Sequence, residues 1–137
     1  MPKSLAALAI ASAALASGCG QPPTDADQIR AVIRDWGRSL AAGGGQRHCR
    51  MMTAGFQQRI VRDNPQLPGD SCAEVSAALS AIATPDQVSE LNRLATSSVK
   101  VTGDRAAALL RPASILTGTG VARLRRVGGH WLVDNIE

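Results

Sequence analysis

Apolar positions along this chain follow three rhythms in succession, and each predicts a different element. The first is a short unbroken run. Leu5 to Leu15 is rich in Ala and Leu and interrupted only by Ser12. A membrane-spanning helix needs about 20 such residues, so the run is too short for a comfortable span. The second rhythm is helical. Ile29, Val32, Ile33, Trp36 and Leu40 recur at helical spacing, with Arg30, Arg34, Asp35 and Arg38 off the stripe. This predicts a helix starting near Asp25 or Asp27, either of which can cap it, and ending at Gly43-Gly44-Gly45. Cys49, Met52, Phe56 and Ile60 continue the spacing and predict one helix from about Gln46 to Asp63, stopped by Asn64-Pro65. Ser71 and Glu74 have capping-box spacing and open a helix with Cys72, Val75, Leu79 and Ile82 on one face. Thr84-Pro85-Asp86-Gln87 repeats the start signal and predicts a short helix carrying Val88 and Leu91.

The third rhythm is alternation. Val99, Val101, Ala106, Ala108 and Leu110 fold about Gly103-Asp104 so that Val101 faces Ala106 and Val99 faces Ala108. Pro112 limits that hairpin, and Thr117-Gly118-Thr119-Gly120 reads as a flexible link. A second hairpin, Val121 to Ile136, turns at Gly128-Gly129. A two-residue turn sets Leu124 opposite Val133, Arg126 opposite Trp131 and Arg123 opposite Asp134, the last as an exposed pair. Helices first and antiparallel strands afterwards define an α+β class.

The start of the chain carries an address. Lys3 precedes the apolar run, and Ala16-Ser17-Gly18 supplies small residues before Cys19. Leu15 to Cys19 resembles a bacterial lipobox, in which the cysteine becomes the lipid-modified first residue of the mature protein. The expected organisation is a lipoprotein signal peptide over 1–18, a tether over 19–24 containing Pro22-Pro23, and a single domain over 25–137. An ordinary secretory signal cut near the same point is the alternative. Several acyl chains anchor stably where one does so only marginally, so the protein is expected on the outer face of a bacterial membrane, held through Cys19. Cys49 and Cys72 remain as an even pair, expected to form one disulfide in an oxidising compartment. No CxxC or HxxxH spacing favours a metal site in its place.

Charge adds less. The chain carries 15 Lys and Arg against 11 Asp and Glu, and losing Lys3 with the signal lowers the net charge from +4 to +3. That balance suits anionic envelope polymers or lipid headgroups. Nucleic acid is discounted, because no Tyr, one Phe and two Trp offer no stacking platform. Arg123, Arg125 and Arg126, with Arg111, form the densest basic cluster, either a solvated strand face or a contact for anionic polymer or lipid.

The order of motifs resembles the nuclear transport factor 2-like superfamily, within it the small secreted bacterial lipoproteins. The residues that carry the resemblance are Cys49-Arg50-Met51-Met52-Thr53 followed by Phe56, then Cys72 opening the next helix. Val101-Thr102-Gly103-Asp104-Arg105-Ala106 and Val127 to Asp134 complete it. The resemblance implies N-terminal helices packed on a strongly curved antiparallel sheet, a cone with a pocket at its open end. It does not select an activity, because the superfamily holds isomerases, dehydratases, cyclases and protein-binding factors.

Catalytic candidates are sparse. Asp35 and His48 are the nearest to a proton-transfer pair, but both have polar surroundings and are expected to be solvated. The absence of Tyr removes the usual phenolic donor of an isomerase pocket. Asp104 and His130 belong to turns, and no cofactor fingerprint is present. Three functions follow as expectations. The first is a non-enzymatic envelope lipoprotein that binds a small apolar ligand or a partner protein. The others are an isomerase, dehydratase or cyclase with ionisable groups in the cone, and an accessory subunit of an envelope complex.

Overall fold

The computed structural model describes residues 20–112 and 119–137. The expected signal segment, Cys19 and the link residues Thr117 and Gly118 lie outside the described residues. Within them, α1 (Asp25–Ala41), α2 (Gln46–Cys49), α3 (Ala54–Asp63), α4 (Cys72–Ile82) and α5 (Pro85–Asn92) precede four strands. These are β1 (Ala95–Thr102), β2 (Arg105–Arg111), β3 (Val121–Val127) and β4 (His130–Ile136), paired antiparallel in chain order. The class is α+β, as the rhythms predict. Among the described residues, no helix is long and apolar enough to cross a membrane.

Helix starts follow side-chain caps. Ser71 with Glu74 and Thr84 with Gln87 form the expected capping boxes of α4 and α5. At α1 the cap is Thr24, whose Oγ1 accepts the Asp27 N–H at 3.2 Å while the Asp27 carboxylate accepts the Thr24 N–H. Neither Asp25 nor Asp27 is itself the cap, and Thr24 belongs to the helix as well as to the tether. A hydroxyl with extended backbone reaches the third amide of the helix, and an acid three residues on returns the bond.

The helix expected over Gln46 to Asp63 is broken in two. Met51, Met52 and Thr53 leave the helical path and pair parallel with the free edge of β4. The Val133 N–H donates to the Met51 carbonyl at 2.8 Å, and the Thr53 N–H donates to the Val133 carbonyl at 2.9 Å. An exposed strand edge offers unpaired donors and acceptors, and here it outcompetes the helix for them. Thr53 then caps α3 through the Phe56 N–H. Cys49, Met52 and Phe56 remain buried despite the break, so the apolar stripe survives while the helix does not.

The first hairpin has the expected register, with Val101 opposite Ala106 and Val99 opposite Ala108. The second departs from it at one place. Leu124 faces Val133 and Arg126 faces Trp131, but Arg123 faces Asn135, leaving Asp134 as an extra residue. This bulge removes the expected Arg123–Asp134 pair. Arg123 instead forks onto Glu137, with both nitrogens 3.1 Å from its carboxylate oxygens.

The core lies between α1 and one face of the sheet. Ile29, Ile33 and Trp36 pack with Leu94, Ala106, Ala108, Leu110, Ala122, Leu124, Trp131 and Val133, and with Cys49, Met52 and Phe56 from the α2–α3 segment. Gly37 lets α1 and α5 meet backbone to backbone: a Cβ there would stand 2.6 Å from the Leu91 carbonyl oxygen. On α4 the buried positions are Cys72, Val75 and Ser76. Ile82, expected on the same face, is 66% exposed, because the buried positions of α4 all lie in its first half and its C-terminal end is left in solvent.

Candidate functional site

Two regions hold the candidate chemistry; the sequence misplaces the first and finds only part of the second. The first surrounds His48. Expected in solvent, it is 1% exposed. The tight turn at Gly43-Gly44-Gly45 folds α2 back against α1, and His48 lands beside Trp36, ring centroids 4.8 Å apart. Its Nδ1 lies 3.1 Å from the Trp36 carbonyl oxygen and 2.9 Å from Ser39 Oγ. Ser39 Oγ itself donates to that carbonyl at 2.8 Å. A carbonyl only accepts, so the bond to Trp36 requires a proton on Nδ1. Burial pushes its pKa down from 6.5 to about 4, and the bond to Trp36 opposes this only in part. Ser39, which no pattern in the sequence singles out, is buried with it.

Asp35 does not join this group. Its side chain is 50% exposed, with Arg34 Nε 3.5 Å from its carboxylate. The proton-transfer pair that the two residues offered on paper is therefore not assembled. Beyond His48, the Cys49 and Cys72 sulfurs lie 2.05 Å apart, at disulfide distance, tying α2 to α4. Ser76 supports that junction by accepting the Gly45 N–H at 2.8 Å.

The second region is the sheet face turned away from the helices. Outward positions of β1, β2 and β3 bring Lys100, Arg105, Arg123 and Arg125 onto one surface, joined by Arg59 from α3. They line a shallow groove of about 710 Å³ that also contains Asp134 and Glu137, so five cations face two carboxylates. Both carboxylates are engaged. Thr53 Oγ1 donates to Asp134 at 2.7 Å. Glu137 is held by Arg123, which draws its carboxyl below the usual range. The Arg59 guanidinium is committed to the Asp134 carbonyl.

This grouping revises the basic cluster read from the sequence. Arg123 and Arg125 belong to it. Arg126 does not, because strand alternation turns it to the other face. There it stacks over Trp131, 4.7 Å from the ring centroid, and pairs with Asp25 at 2.5 Å. The Trp131 indole N–H and then Arg126 hold the Asp25 carboxyl below its ordinary pKa. Arg111 sits at the far end of β2, beside Pro112, in a separate hollow. Lys100, Arg105 and Arg59 take their places. The signal that could have found Lys100 and Arg105 was present: both flank the Gly103-Asp104 turn closely, and its register was readable.

Among the described residues, no three His, Cys, Asp or Glu side chains gather as a metal site. What the fold and these regions define is an α+β domain with a helix-covered inner sheet face and an open, basic outer one. Comparison with protein-family models, curated proteins and solved structures finds no match to this chain.

Proposed function

We propose that this protein is an exported, non-enzymatic domain that works by binding, held at the outer face of a bacterial membrane through lipid on Cys19. The observation that carries the non-catalytic part is the separation of the candidate acid–base groups. His48 is locked between Trp36 and Ser39 and lines none of the surface hollows described above, while Asp35 stands in solvent. Proton transfer requires a base within reach of a bound substrate, and neither residue shares a cavity with the other. The address rests on the lipobox-like Leu15 to Cys19. The Cys49–Cys72 pair at disulfide distance supports export, because such bonds persist in oxidising compartments. The nuclear transport factor 2-like cone remains part of the same proposal, supported by helices on one face of a meander with bulges in its outer pairs.

The helix-facing side of the sheet is occupied by packed side chains, so the partner is best sought on the outer surface. A small apolar ligand is the second reading. It is favoured by an open hollow of about 770 Å³ in which Ala95, Leu109, Leu110 and Pro112 stand beside Glu90, Arg93, Ser97 and Arg111. Metabolic labelling with a fatty acid, followed by mass analysis of the Cys19 peptide, tests the anchor; lipid that Cys19→Ala abolishes is the expected result. Turnover of small carbonyl or hydroxy compounds that Asp35→Asn eliminates would overturn the non-catalytic reading.

A further inference from the structure

The outer sheet face carries an arrangement that folding alone does not favour. Arg105 and Arg125 are directly opposite each other on neighbouring strands. Side chains so placed are about 5 Å apart at their roots, and like charges there destabilise the sheet. Lys100 stands one row along, opposite Ala107, with Arg123 on the other side of Ala107. Among the described residues, no carboxylate pairs with Lys100, Arg105 or Arg125. Solubility would be served as well by mixed signs. A grid of unpaired cations gains most when an anionic surface covers it.

The N-terminus narrows which surface: it leaves from the helix-covered side, at the end of the sheet where both turns lie. Asp25 is bound by Arg126 and Trp131, which face each other one residue pair from the Gly128-Gly129 turn. The Gly103-Asp104 turn lies at the same end, since the Arg126 N–H donates to the Asp104 carbonyl at 2.7 Å. Arg105 and Arg125 are the outward cations nearest that end, with Val127 two residues beyond Arg125 and 48% exposed. Between Cys19 and Asp25 stand only Gly20 to Thr24, so six residue steps reach at most about 21 Å when extended. A lipid on Cys19 therefore keeps this end of the sheet beside the bilayer.

We infer that the outer sheet face, through Lys100, Arg105 and Arg125, docks on the anionic phospholipid headgroups of the membrane that anchors the protein. This rests on the anchoring proposed above. Each basic residue near such a surface gains about 1 kcal/mol, a factor of about five. A strand surface carrying several cations meets an extended anionic array with more than one of them at once, whereas a single dissolved phosphate meets one or two.

Arginine footprinting of the full chain tests this. The protein is reconstituted into vesicles of phosphatidylglycerol and phosphatidylcholine, or of phosphatidylcholine alone, and treated with phenylglyoxal. Labelling of Arg105 and Arg125 is compared with that of Arg47, Arg50 and Arg93, which are exposed on the helical side. The expected result is about fivefold slower labelling of Arg105 and Arg125 on phosphatidylglycerol vesicles only, relieved by molar salt. Equal labelling on both vesicles overturns the inference. Equal protection by dissolved glycerol phosphate reassigns the face to a free anion, and equal protection by polyglutamate reassigns it to an acidic protein; either overturns it. The mass of the Cys19 peptide is read from the same sample. Lipid on Cys19 without protection sinks the docking face alone, and protection without lipid sinks the anchor alone.

Discussion

The two faces of the sheet are built from the same strands and obey opposite rules. On β2 and β3 the inward positions are Ala106, Ala108, Leu110, Ala122 and Leu124, all buried. The alternate positions are Arg105, Ala107, Leu109, Arg123 and Arg125, none of them buried. The inner face commits its side chains to packing, and its tolerance for change is small. The outer face contributes almost nothing to the core and keeps unpaired charge that costs stability. A surface maintained against that penalty is a better guide to function than a core residue, whose identity packing already explains.

Substitutions on the two faces should differ in size and even in sign. The largest effect is expected at Ile33, fully buried at the centre of α1. Ile33→Ala should cost about 2–5 kcal/mol, seen as a lower urea midpoint with an unchanged slope. A loss under about 1 kcal/mol would show that α1 does not pack on the sheet as described.

The Cys49–Cys72 link secures the helical side from below. It closes a sequence separation of 23 residues, and chain entropy assigns it about 3 kcal/mol. Reduction should lower the thermal midpoint and add the mass of two alkyl groups after iodoacetamide; two free thiols in protein purified from its native host without reductant would show the link does not form there.

His48 makes the same side sensitive to acid. Its pKa is about 4 when folded, against an ordinary value of 6.5 for a solvated imidazole. The unfolded chain thus binds the proton first. The stabilisation is fully present above pH 6.5 and is lost as pH falls towards 4, to a total of about 3 kcal/mol. His48→Leu should flatten the stability slope across that window, and a wild-type profile already flat there would contradict the burial of a neutral imidazole.

Thr53 joins the two faces, capping α3 and donating to Asp134. Thr53→Ala should cost about 1–2 kcal/mol, the range of a lost cap, and Thr53→Ser should restore most of it.

The smallest effect has the opposite sign. Arg105→Gln removes one of two opposed cations and should stabilise the domain by up to about 0.5 kcal/mol at low salt, fading as salt rises. Destabilisation that persists in high salt would mean that Arg105 has a structural partner, and the contrast between the faces would weaken.

Much of this contrast was readable in the sequence. The turns at Gly103-Asp104 and Gly128-Gly129 follow from glycine between alternating runs, and both registers near them hold. The capping boxes of α4 and α5 likewise depend on residues three apart in sequence. The candidate site was less legible. His48 has polar neighbours in sequence and an aromatic wall only in space, because Trp36 and Ser39 come from another helix. Arg126 looked equivalent to Arg125, but side-chain alternation sends it to Trp131 and Asp25.

What the sequence determined by itself is therefore local: helix starts, tight turns, the α+β order and the alternation that separates inward from outward residues. These depend on interactions within a few residues, whose strength the rest of the chain cannot alter. The tertiary structure alone decided that Met51–Thr53 leaves its helix for the edge of β4, that Asp134 bulges, that His48 is sealed, and that β3 lies against β2 so that Arg125 stands opposite Arg105. Each of those outcomes is a competition for hydrogen bonds, burial or charge between segments far apart in the chain, and it is settled only when the segments meet.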